Sequence, residues 1–386
     1  MRHRFRLSTA FITCMLSAVG NVKAQDTAHL VLTQDLRIDG HANVLVAIDH
    51  LAVSRAGEIV VSQAQDRAIR FFSSAGAPIG SVGREGEGPG EFRAIARMGF
   101  VADTLWVHDG RLRRFTLISQ AREVLRSVPA IGFARPAPAD EARIPAFRTV
   151  YPQTLYPDGS VLASAHGADG PAAGDFDPRA VTYVRVARDG TITRVVTTWR
   201  EGRSDFYTTV GGGAGGTFPF AIRPLHDVAD DGSRSVLAMV SVEGQQSGMF
   251  RVITFDAVGD TIYSRRYPVD GVPIPRSVAD SAIDARARVF ANPDTQAEYR
   301  RQAYVPPIYP PLAGLVSGRD ATLWIRLRDR DGRRPYMVLD SAGVVIATTD
   351  VPNNVEIRVA DLSNVWAVET DEFDVQSIVR YRVARR

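Results

Sequence analysis

The chain has 386 residues, with 46 Lys and Arg against 43 Asp and Glu, and a single cysteine. Charge this evenly balanced argues against nucleic acid as a partner, because phosphate binding needs a concentrated basic stripe. One cysteine excludes an internal disulfide, so a fold of this length must rest on core packing.

Arg2, Arg4 and Arg6, the apolar run from Leu7 to Val19 and the small-residue pattern Val22-Lys23-Ala24 read together as a secretory signal peptide. The run is too short to span a bilayer. Residues 1–24 are therefore expected to be removed near Ala24, leaving residues 25–386 as one exported domain, periplasmic or extracellular, with no transmembrane segment. Lipidation at Cys14 is the alternative, but Phe11-Ile12-Thr13 makes a poor lipobox. Cleavage takes away Arg2, Arg4, Arg6, Lys23 and no acid, which leaves 42 basic residues against 43 acidic and no cysteine.

The mature chain opens on a β-rich stretch, His29-Leu30-Val31-Leu32-Thr33 to Ile38, and then repeats itself. A turn followed by a short apolar strand recurs as Gly57-Glu58-Ile59-Val60, Asp103-Thr104-Leu105-Trp106, Gly159-Ser160-Val161-Leu162, Arg234-Ser235-Val236-Leu237, Ala321-Thr322-Leu323-Trp324 and Ser363-Asn364-Val365-Trp366. Trp106, Trp324 and Trp366 share one repeat position, where burial at equal depth is expected, and Trp199 lies outside it. A second strand and a polar turn ending in Gly76, Gly190, Gly259 or Gly343 follow in four of the units, with Ser119-Gln120 standing in for the glycine turn in the second. The turn anchors Glu58, Thr104, Ser160, Ser235, Thr322 and Asn364 lie 46, 56, 75, 87 and 42 residues apart. The shortest spacings approach the roughly 40–50 residues of a four-stranded propeller blade, and the longer ones must hold insertions. The last unit lacks an outer strand after Ile378 to Val383, so the Leu30 to Ile38 stretch is expected to pair there and close the ring.

Between the first two units stands Gly83-Arg84-Glu85-Gly86-Glu87-Gly88-Pro89-Gly90-Glu91-Phe92, too rich in Gly and Pro for a helix or a central strand. This crossing resembles the GRxGxGPGEF segment of a bacterial family of secreted six-bladed β-propellers, related in architecture to NHL-repeat and TolB-type propellers. The resemblance extends to Asp103-Thr104-Leu105-Trp106-Val107, Tyr309-Pro310-Pro311 and Thr322-Leu323-Trp324-Ile325. It implies an all-β fold: a six-bladed β-propeller of four-stranded antiparallel blades, closed by an N-terminal strand. Two insertions interrupt it. Arg200 to Phe220, with Gly211-Gly212-Gly213-Ala214-Gly215-Gly216, lacks the Gly-Lys-Ser/Thr ending of a phosphate loop and reads as a mobile surface loop. Ser277 to Gln302 reads as two short helices broken at Asn292-Pro293-Asp294.

Ligand sites on this fold lie at the channel mouth, so the segments before each repeat are the ones to search: Ala47 to Val53, Ile95 to Val101, Thr149 to Tyr156, Ile222 to Ala229, Ile308 to Val316 and Val355 to Ala360. Arg97, Arg148 and Arg223 lie at or near the starts of three of them, and a shared mouth would make an electropositive funnel for carboxylates or phosphates. His226 is the fourth candidate. His50 and His226 could hold a divalent metal such as zinc or calcium, as in NHL-type lyases, but their one-residue offset turns them to opposite faces. No third inner-strand histidine exists, so Asp49, Asp227 or a bound water would have to complete the site. His108-Asp109 and His166 follow the second strand of their hairpins and read as blade-top or blade-edge residues, and Asp371, Glu372 and Asp374 are a weak calcium pattern. There is no Gly-x-Ser-x-Gly elbow and no mature cysteine for nucleophilic catalysis. The leading expectation is a monomeric, cofactor-free module that binds a small anionic ligand or a protein segment at one face. The alternative is a metal-dependent hydrolase or lyase resembling propeller lactonases and amidating lyases.

Overall fold

The computed structural model describes residues 27–45, 47–63, 65–177, 180–200, 205–243 and 247–386. The expected export signal, with Cys14, lies outside them. Four antiparallel sheets of four consecutive strands each form the body of the chain up to residue 270: His50–Val53 to Pro78–Val82, Ile95–Val101 to Val124–Pro129, Ala146–Leu155 to Thr191–Arg200, and Leu225–Val228 to Thr261–Asp270. Arg135–Pro136 adds a short parallel strand to the third. Leu312–Ser317 to Val345–Pro352, Val355–Ala360 to Gln376–Arg385 and the first strand, Ala28–Ile38, make one eight-stranded sheet of two antiparallel halves.

The two halves meet at Ala28–Ile38. This strand pairs antiparallel with the last strand, from Leu30 opposite Arg385 to Ile38 opposite Ile378, and touches the other half in parallel at Ala28 and His29. A bulge between Gln34 and Leu36 leaves Asp35 unpaired in the ladder and frees its carboxylate, which bonds Arg380 at 2.9 and 3.1 Å and Arg382 at 2.7 Å. Leu30 and Ile38, alternate core-facing residues of the strand, are 1% and 2% exposed and belong to two different core clusters.

The same turn ends the third strand of each sheet. Gly76, Gly190, Gly259 and Gly343 take φ of 83°, 86°, 97° and 78° and return their N–H to the carbonyl three residues back. In the second sheet Arg122 does this at φ 65°, so the glycine position survives where its residue does not. The crossing from the first sheet to the second is equally specific. Gly83 has φ 107°, and a Cβ there would sit 2.7 Å from the ring of Phe92, which is fully buried. Arg114 holds the crossing from the side through the carbonyls of Glu87, Gly88 and Glu91 at 2.7–2.8 Å.

Trp106, Trp324 and Trp366 stand on the second strand of their units opposite Gly99, Val316 and Val359. All three are buried, as expected. Trp199 is just as buried; it differs in place rather than depth, lying on an outer strand with its ring edge-on to Tyr183 at 4.8 Å. The glycine-rich insertion is also unlike its expectation as a mobile loop. Asp205–Thr208 and Ala214–Thr217 pair as a hairpin whose Phe206, together with Phe218, packs on Tyr299 and Ala287 of the two helices Arg276–Ala287 and Pro293–Gln302. Aromatic burial here outweighs the entropic cost of the glycines. Asn292 caps the second helix, accepting from the N–H groups of Asp294 and Thr295.

Candidate functional site

The first strands of five four-strand units surround a cavity of about 220 Å³. His50, Arg97, Asp227, Leu315 and Arg358 each come from a different unit, and the third sheet contributes none of the lining. The cavity is of mixed charge. Arg326 is bidentate on Asp329 at 2.8 and 2.9 Å, Arg358 lies 3.3 Å from Glu356, and Asp227 accepts the N–H of Ser317 at 2.7 Å. Asp230 lines this cavity and also a second one, at the opposite ends of the same strands.

Burial, then the neighbouring carboxylates of Asp227 and Asp231, push Asp230 up to about 7. Its folded form therefore holds a proton that the unfolded chain releases near pH 4, so its contribution lowers stability as pH rises from about 4 to about 7. The penalty is complete above that range. Asp230→Asn is expected to stabilise the protein at pH 8, by at most roughly 4 kcal/mol, and to flatten the pH dependence of urea unfolding between pH 4 and 7. An unchanged slope would show that Asp230 is ionised at no cost.

The third sheet instead lines a larger cleft, about 670 Å³, against the second. Arg97, Arg113 and Arg148 face it, with His108, Tyr151 and Gln153, and no Asp or Glu is among its lining. Arg97 borders both this cleft and the central cavity. Neither the Arg97 nor the Arg113 guanidinium has a hydrogen-bond or ion-pair partner among the described residues; Arg148 reaches Asp169 at 3.5 Å and remains 72% exposed. Local sequence explains the geometry. Gly132 lies beneath Arg113, where a Cβ would stand 1.7 Å from Nη2, so only glycine lets that arginine lie where it does.

The field of these arginines is felt by the imidazoles. Burial lowers His108 to about 4, with Arg97 adding to the shift against Asp109. Burial and then Arg97 also lower His50. His226 keeps an exposed edge, but its ring is packed against Tyr183 and Trp199, and this partial desolvation and then Arg97 bring it to about 4. All three are neutral at pH 7, and the cleft's positive charge is guanidinium.

The sequence candidates are thus divided. Arg97 and Arg148 share the cleft. Arg223 pairs with Asp205 and reaches Thr217 Oγ1 at 3.3 Å, at the hairpin insertion and outside both linings. His50 lines the central cavity, whereas His226 lies against Tyr183 and Trp199. Its Nδ1 is 2.5 Å from the Tyr183 hydroxyl; with Tyr183 held protonated by burial and the imidazole neutral, the hydroxyl donates. Asp109, fully buried, spends its carboxylate on the N–H groups of Arg93, Ala94, Arg111 and Leu112. Asp371 does the same for Phe373 and Val375 and pairs with His41 at 2.8 Å. Among the described residues no three His, Cys, Asp or Glu side chains are grouped to hold a metal. Sequence reading missed Arg113 and the cleft-facing position of His108; the Gly132 that admits Arg113 was the available signal.

The chain matches no protein-family profile and no curated protein. Among solved structures it is similar to a member of the DUF4221 family from Bacteroides vulgatus, at 10% identity over 93% of this chain and 99% of that one, with a TM-score of 0.50. A virginiamycin B lyase from Staphylococcus aureus aligns at 11% identity over 92% and 100%, TM-score 0.42. Regucalcin from Agrobacterium tumefaciens, described as a calcium-binding protein, aligns at 10% identity over 92% and 96%, TM-score 0.39. The likeness to the DUF4221 structure speaks to fold alone, a propeller-like arrangement of antiparallel four-stranded sheets. Among the described residues no helix is long and apolar enough to cross a membrane.

Proposed function

We propose that this is an exported six-bladed β-propeller of NHL- or TolB-like type, its ring closed by Ala28–Ile38, that binds a small anionic ligand in the cleft between its second and third blades. The two halves of the eight-stranded sheet are then the fifth and sixth blades. One observation carries the functional reading: Arg97 and Arg113 border a cleft with no lining carboxylate and have no partner of their own. Arg97 feels the carboxylates of the central cavity only at a distance, and Arg113 and Arg97 point into the cleft without a directly bonded acceptor, so a carboxylate or phosphate between them gains charge-assisted hydrogen bonds. Arg148 at the outer edge draws the anion in. Gln153, 7% exposed, keeps its Oε1 without a hydrogen-bond partner and offers an acceptor to a hydroxyl or amine on the same ligand.

The test is a thermal-shift titration with citrate and with inorganic phosphate, against chloride at matched ionic strength. Saturable stabilisation is expected for the wild type, with apparent affinity at least about tenfold weaker in Arg97→Ala and Arg113→Ala and less affected in Arg148→Ala. Equal stabilisation of the wild type and both inner-arginine variants would overturn the reading.

A further inference from the structure

The seam between the second and third sheets holds another cavity, of about 440 Å³, at the other end of their first strands. Val101, Leu117, Val128, Leu155 and Val161 give it apolar walls, and Ile131 stands between it and the arginine cleft, lining both. Its charged residues are Arg126 and Arg188, both exposed; Thr104 and Tyr156 also line it, and no Asp or Glu is in its lining. Neither guanidinium has a hydrogen-bond or ion-pair partner among the described residues.

Their positions follow from the backbone. Arg126 and Val128 are two apart on the outer strand Val124–Pro129, so both turn to the cavity side. Arg188 comes from the turn closed by Gly190 and crosses Gly159, where an added Cβ would stand 1.9 Å from its Nε. Gly159 holds φ 77° and presents no side chain, so the arginine reaches the cavity instead of being pushed into solvent.

An apolar cavity of this size with two uncompensated cations is matched by one chemistry, an apolar body ending in a single anionic group. We propose that this cavity is a second, independent site that takes an amphipathic carboxylate, its hydrocarbon part between the sheets and its head between Arg126 and Arg188. The proposal does not depend on the ligand of the arginine cleft.

Calorimetric titration with decanoate below its micelle concentration, with decanol as the uncharged control, tests it. Saturable binding of one decanoate per chain is expected. The double variant Arg126→Ala/Arg188→Ala should weaken decanoate about tenfold or more and leave decanol nearly unchanged. Val128→Trp, which fills the cavity, should remove both; Leu117→Phe serves the same purpose if that variant does not fold. Arg97→Ala should leave decanoate binding as in the wild type. The proposal is overturned by no saturable binding, by decanoate binding that survives the filled cavity, or by loss with Arg97→Ala alone.

Discussion

A chain that begins after Gly40 is expected to aggregate and to lose its cooperative thermal transition. The deletion removes Leu30 and Ile38 from two clusters of the core, each side chain contributing roughly 2–3 kcal/mol of burial. It also strips the antiparallel partner from Gln376–Arg385, leaving a row of unpaired backbone groups as a template for edge-to-edge association. Arg380 and Arg382 lose the Asp35 carboxylate that the bulge supplies. Light scattering and circular dichroism on heating measure the outcome. A truncated chain that stays monomeric and melts like the parent would show that this strand is dispensable.

Trp324→Ala is expected to cost about 3–5 kcal/mol in urea unfolding, the range for truncating a large enclosed aromatic side chain. Trp324 is fully buried against residues of both halves of the eight-stranded sheet, and its indole N–H donates to Thr322 Oγ1 at 3.1 Å. Trp106→Ala and Trp366→Ala should fall in the same range, because those rings hold the equivalent register on their strands. Trp199→Ala should cost as much, since that ring is equally enclosed, which corrects the expectation drawn from its place outside the repeat. A cost below about 1 kcal/mol for Trp324→Ala would contradict the packing described.

What could be read in the sequence was whatever is written locally. Gly83 to Phe92 announces a crossing because its glycines mark backbone that other residues resist, and Asn292-Pro293 announces a helix start because each residue suits one position of the cap. The terminal strand was legible from a missing partner. Composition misled where it hid packing: the glycine run drew attention from Phe206 and Phe218, which anchor the hairpin beneath the helices. The cleft was only half legible, since Arg97 and Arg148 stand on strands of different sheets, Arg113 lies in a turn, and no spacing marks their convergence. Arg223 has the same sequence credentials as Arg97, yet a carboxylate from the insertion neutralises it. Which arginines remain uncompensated is set by long-range placement.

The most direct test of the anion site is anomalous diffraction from crystals grown with selenate. A selenium peak is expected in the cleft, within hydrogen-bond reach of Arg97 and Arg113, and should disappear in Arg113→Ala crystals. Selenate ordered elsewhere on the protein, with this cleft empty at the same concentration, would contradict it.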